Sequence, residues 1–239
     1  MKKLGVIAMI TVLSGSALMS TYSASAAVVG DSATSKNSVN FVAGGSDEDD
    51  AVGTLDPTNP DNPNPNSPID PMDPDNQGTG HVGPLTINYA SNIKFGEQKI
   101  SGKDITYNGL NADPFIQVTD IRGTGAGWNL SAKSTGFANS DGKKVLKGAE
   151  LSFKGGQVKA GSKNNISTSP LSSNIIFNNV ASQPVMNAKK EAGKGTWLNV
   201  WSGTDQSNEN VQLKVLAGTA EADTEYTSTI TWELADAPK

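Results

Sequence analysis

The chain has 239 residues, with 19 Lys plus Arg against 24 Asp plus Glu, and no Cys. The missing Cys excludes disulfides, zinc–thiolate sites, Cys nucleophiles and a lipid anchor on a lipobox Cys. The length leaves room for one globular domain with accessory segments.

Residues 1–27 read as a secretory signal peptide. Lys2 and Lys3 supply the positive start, an apolar run covers 4–18, and Ala24-Ser25-Ala26 is a small-x-small cleavage site. The apolar run is too short and too rich in Gly and Ser for a membrane anchor. The mature protein is therefore expected outside the cell, with no membrane contact after cleavage.

Residues 28–83 read as a disordered linker, rich in Asp, Pro and Asn. Nine acidic residues and no Lys or Arg lie between Asp47 and Gly80. Pro blocks helix and central strand, and Asp repels Asp, so the expectation is an extended, solvated spacer. Polyproline-like chain is stiff, which favours a spacer over a mere solubility tail. His81, the only His, is expected to be solvated.

Residues 84–239 read as the folded domain. Short alternating runs predict strands at 85–89, 93–95, 105–107, 115–121, 127–133, 146–153, 175–177, 196–201, 211–216 and 226–234. Turn residues separate them, among them Asn108-Gly109, Asp113-Pro114, Asp141-Gly142 and Gly155-Gly156. No window of helical length carries an apolar stripe; the nearest, at 183–191, is short and polar. The expected fold class is all-β, an antiparallel β-sandwich or barrel-like domain. The long loops at 155–174 and 178–195 are the natural places for function.

Charge is uneven along the domain. From His81 to Val200 there are fourteen Lys plus Arg against seven acids, and beyond Val200 two against seven. Lys143, Lys144, Lys189 and Lys190 stand out in the loops as candidates for an anionic polymer surface. The plain alternative is an ordinary solvated Lys face. Nothing resembles a nucleic-acid reader.

Catalysis has little support. With no Cys and the one His in the linker, the usual nucleophile–base constellations are absent, and no phosphate loop, dinucleotide fingerprint or His-Glu-x-x-His motif occurs. Asp104, Asp120, Glu150 and Glu233 are carboxylates, but no spacing selects a pair for glycosidase chemistry. Asp120 and Arg122 read as a turn clamp. No enzyme activity, metal or cofactor is expected.

The last predicted strand places Tyr226, Ser228, Ile230, Trp232 and Leu234 on one face and Thr227, Thr229, Thr231 and Glu233 on the other. A second Trp-x-Leu run occurs at Trp128-Asn129-Leu130. The segment Tyr226…Ile230-Thr231-Trp232-Glu233-Leu234…Pro238 resembles the distal motif of the WxL-domain proteins of low-GC Gram-positive bacteria. Val118 to Leu130 resembles the proximal motif and its lead-in. The acidic tract and Asn92-Ile93-Lys94-Phe95-Gly96 are similar to the family's approach to its domain. The resemblance covers the whole chain and points to the small, single-domain type.

The resemblance implies non-covalent attachment to the cell wall, with peptidoglycan as ligand. It also implies assembly with another surface protein of the same system. No Leu-Pro-x-Thr-Gly motif follows Pro238, so a sortase anchor is not expected. The alternative is an adhesive partner protein that binds another surface protein or host matrix. Two roles are open for the motif Trp residues: core, or a platform for sugar rings. Leu and Ile on the same face favour the core. Trp197 and Trp201 share a face with Asn199, opposite Leu198 and Val200, and are the better candidates for a ligand-facing surface.

Overall fold

The computed structural model describes residues 34–46, 51–62 and 69–236. The signal-peptide reading, the acids at 47–50 and Pro238 lie outside the described residues. The chain divides after Asn40; residues 34–40 are exposed and form no regular element. The strands and the core all belong to the second unit, which begins at Phe41.

That unit is all-β, as expected, with no helix among the described residues. Its strands are β1 (Leu85–Ala90), β2 (Ile105–Gly109), β3 (Phe115–Asp120), β4 (Trp128–Ser134), β5 (Glu150–Phe153), β6 (Gln157–Ala160), β7 (Leu171–Ser172), β8 (Ile175–Phe177), β9 (Gln183–Ala188), β10 (Gly195–Val200), β11 (Asn208–Val215) and β12 (Ile230–Ala235). They form three antiparallel sheets, ordered β1-β3-β10-β6, β2-β11-β5-β8 and β12-β4-β9-β7. All three feed one core, in a sandwich arrangement. Ile116, Val118, Trp197 and Trp201 come from the first sheet side, Leu151, Phe153, Ile175 and Val211 from the second, and Trp128, Leu130, Val185 and Met186 from the third.

The run at 93–95 forms no strand, and β6, β7 and β9 are not legible as alternating runs. In β9 the reason is local. The ladder with β4 shifts register between Leu130 and Ser131, opposite Met186 and Pro184. Val185 is the extra residue, so Val185 and Met186 are both buried in succession. A bulge of this kind breaks the period-two signal. The last strand is shorter than the alternation suggests. Thr227 pairs with Ala138, one step out of register with the ladder from Ile230 onward.

The acidic segment is not solvated throughout. Asp56, Asp70 and Asp73 are buried, and Leu55 and Ile69 pack on Tyr89, Phe115, Leu198 and Val200. These four belong to the outer face of the first sheet. The side chain of Gln117, central on that face, copies a strand partner. Its Oε1 accepts from Leu55 N and its Nε2 donates to Gly53 O, both at 2.9 Å. Lys159 Nζ donates to Pro57 O at 2.6 Å.

The buried acids are held by protein donors. Asp56 Oδ1 accepts from Thr58 N and Thr58 Oγ1, at 2.8 and 2.6 Å. Asp73 takes the backbone and side-chain N–H groups of Asn92, and Asp70 accepts from Asn111 Nδ2 at 2.7 Å. Each also takes a donor from its own turn, Met72 N for Asp70 and Asn76 Nδ2 for Asp73, so local and distant N–H groups together let the charges tolerate burial. Tyr89, stacked on Phe115 at 4.4 Å beneath this cover, has its phenol pushed up to about 12 by burial and the charges of Asp73 and Asp70.

Candidate functional site

Strands β4 and β12 lie side by side, so the two Trp-x-Leu runs meet. Leu234 stands opposite Leu130 and Trp232 opposite Ala132. Trp128 and Leu130 are fully buried. Ile230, Trp232 and Leu234 are half-buried against the core, while Thr231 and Glu233 face solvent. Tyr226 packs in a smaller cluster with Leu146, Leu213 and Val215. The proximal motif is therefore interior and the distal motif sits on an edge strand.

Arg122 ties the two runs together. It grips Asp120 through two bonds, Nε to Oδ1 at 2.9 Å and Nη2 to Oδ2 at 2.8 Å. The same guanidinium donates to Gly127 O, just before Trp128, and to Asp236 O, just after Leu234. The bidentate pair raises the Arg122 pKa above its ordinary value. The remaining carboxylates considered for catalysis are also engaged. Glu233 pairs with Lys133, Glu150 with Lys214, and Asp104 accepts from Ala217 N.

Trp197 and Trp201 do not form a surface. They are 4% and 1% exposed, and both belong to the main core. They do share a face, and Leu198 and Val200 do take the other. Both faces are covered, however, because the acidic segment lies over the Leu198 side. Trp201 packs on Phe153 at 4.8 Å and reaches toward Trp232 at 6.3 Å. Gly156 is required beside it: a Cβ there would lie 2.5 Å from Asn199 Oδ1 and 2.9 Å from Trp201 Nε1.

Two core indoles hold one surface loop. Trp128 Nε1 donates to Gly193 O and Trp197 Nε1 to Lys194 O, each at 3.0 Å. Gly193 has φ +72°, and a Cβ there would sit 2.4 Å from Ala188 Cβ and 2.7 Å from Trp128 Nε1. Only Gly fits that approach. The loop in turn meets the 161–168 turn, through Gly193 N to Thr168 O at 2.8 Å and Lys194 N to Ser167 Oγ at 3.0 Å. Between this loop, the turn and Val52 and Leu55 of the acidic segment lies a groove of about 670 Å³.

The basic candidates divide. Lys143 pairs with Asp141 at 3.2 Å and Lys144 with Glu221 at 2.9 Å. Lys163 and Lys194 are also paired, with Asp61 and Glu191. Lys189 and Lys190 are exposed, and no carboxylate among the described residues pairs with them. They stand at the start of the loop that the indoles hold.

A family model described as the WxL domain, surface cell wall-binding, matches residues 28–238. The chain belongs to the WxL family. No curated protein and no solved structure matches it. The match to the WxL domain begins well before β1 and so takes in the acidic segment that covers the first sheet. The family is one of wall-binding domains, which places this WxL protein at the cell surface, associated with the wall. Sequence reasoning passed over the groove and the Gly193 anchor. The signal that was available is the pair Gly193, in the loop after β9, and Gly195, at the start of β10, where left-handed backbone marks a close approach.

Proposed function

We propose that this is a secreted, non-enzymatic surface protein that attaches non-covalently to peptidoglycan through its WxL domain. The observation that carries the reading is the match to a cell wall-binding domain over residues 28–238. The pairing of both Trp-x-Leu runs on adjacent strands supports it, since the motif is then one structural unit. The test is co-sedimentation of the purified chain with sacculi stripped of protein. Sedimentation with the sacculi is expected. A chain that stays in solution until another surface protein is added overturns direct attachment.

One observation favours a second reading, assembly with a partner protein. The pair Thr135–Thr229 is hydrogen-bonded, so by strand parity the groups of Ile230, Trp232 and Leu234 point away from β4. Among the described residues β12 ends its sheet, with no strand paired on that side. An extended segment of a partner can add there as a further strand. The same sedimentation assay separates the two, because strand addition needs the partner and wall attachment does not.

A further inference from the structure

We propose that the groove between the acidic segment and the 161–168 turn binds an uncharged glycan strand bearing hydroxyl and N-acetyl groups. The proposal rests on the wall-attachment reading and names the surface that would carry it. The groove's volume, about 670 Å³, lies within the range of small-ligand sites.

The walls are fixed before any ligand arrives. Gly161 N donates to Thr196 O at 2.8 Å, and Asn165 Nδ2 donates to Lys194 O at 3.0 Å. Asn165 Oδ1 accepts from Ser167 N at 2.9 Å. Behind the Lys194 loop stand the indoles of Trp128 and Trp197. A site held in this way loses little entropy on binding.

The groups left over suit a sugar. The Asn164 carboxamide and the Thr168 hydroxyl line the groove, and neither makes a hydrogen bond to the protein among the described residues. Ile166, between them in sequence, is fully exposed at 101%. With Val52 and Leu55 it offers apolar surface beside the two free polar groups. A glycan ring presents that same mixture, C–H faces rimmed by hydroxyls and amides.

Charge argues against an ionic ligand. Glu191 and Lys194, the charged residues of the lining, pair with each other at 2.7 Å. The Lys194 ammonium holds the Glu191 carboxyl below its ordinary value, so the pair persists at neutral pH. The lining thus carries no net charge to attract an anion or cation.

The experiment uses the whole chain and two probes, protein-free sacculi and the linear tetramer of N-acetylglucosamine. Backbone amide shifts on adding the tetramer are expected at 161–168 and 191–196. Ile166→Asp and the double variant Asn164→Ala/Thr168→Ala alter exposed side chains and should keep the wild-type melting temperature. Each is expected to weaken tetramer and sacculus binding about tenfold, the loss of roughly one net hydrogen bond or apolar contact. If the wild type sediments with sacculi and both variants do so equally, the groove is overturned and wall attachment stands. If the tetramer shifts these amides while sacculi leave the protein in solution, the groove holds and wall attachment falls. No shift from the tetramer, with binding only to a phosphate-bearing wall polymer, overturns the glycan assignment.

Discussion

The indole N–H of Trp128 donates to the carbonyl of Gly193 at 3.0 Å, in full burial. A residue of the proximal motif therefore fixes a loop 65 residues further along the chain. Replacing Trp128 by Phe keeps an aromatic ring but leaves the Gly193 carbonyl without that donor. Trp128→Phe is expected to cost about 1–3 kcal/mol. Gly193→Ala should also destabilise, through left-handed backbone and the contact with Ala188. Urea unfolding of both variants checks the pair. Wild-type midpoints would show that the indole bond does not hold the loop.

The two ends of the Trp201–Trp232 contact differ in burial, and the substitutions should differ with them. Trp201→Ala opens the centre of the core and is expected to cost about 3–5 kcal/mol. Trp197→Ala belongs to the same class. Trp232→Ala on the half-buried edge should cost less, about 1–3 kcal/mol from lost apolar burial. Thermal melts of the three variants rank them. A Trp232→Ala protein less stable than Trp201→Ala would contradict the placement of β12 at an edge.

The attachment of the acidic segment should depend on Gln117. Gln117→Leu removes both bonds to the 53–55 backbone while keeping bulk. Limited proteolysis is expected to cut within 51–62 faster in this variant, with the rest of the domain intact. Equal cleavage rates would mean that the other contacts, the packing of Leu55 and Ile69 and the bonds of Lys159 and Lys163, hold the segment without Gln117.

Asp56 gives the same segment a pH dependence. Burial acts to raise its pKa, but the bonds from Thr58 and Asn59 outweigh it and leave the carboxyl below its ordinary value. A depressed folded value stabilises above the unfolded value of about 3.9, and the contribution is lost as pH falls through the lower folded value. The segment should thus stay attached from neutral pH to about 4 and loosen only below that. Carbon-detected NMR titration of Asp56 should give a midpoint under the ordinary carboxylate value. Thr58→Val should move that midpoint upward.

Salt sensitivity of wall binding should come from Lys189 and Lys190. Lys143, Lys144, Lys163 and Lys194 already have carboxylate partners, so their fields are largely cancelled. Exposed charges are screened over about 8 Å at physiological ionic strength. Lys189→Gln/Lys190→Gln is expected to flatten the salt dependence of sacculus binding. Lys143→Gln should leave it unchanged, and an equal effect of both would place the contact elsewhere.

Much of this protein is legible in its alternation and its punctuation. Period-two runs bounded by Gly, Asn and Asp gave an all-β chain, because side chains on a strand alternate whatever the sheet packs against. The same rule put Trp197 and Trp201 on one face and Leu198 and Val200 on the other. It did not say that both faces are covered. That was decided by Leu55 and Ile69, which reach the first sheet from a stretch whose Pro and Asp content reads as solvated chain. The Asp side chains there bind their own turns, and composition alone does not reveal that bond. The register that sets Leu130 opposite Leu234, and the bulge that hides β9, arise from pairing between distant strands. Such pairings are settled by the packing of the whole core, for which no local window of sequence contains the partner.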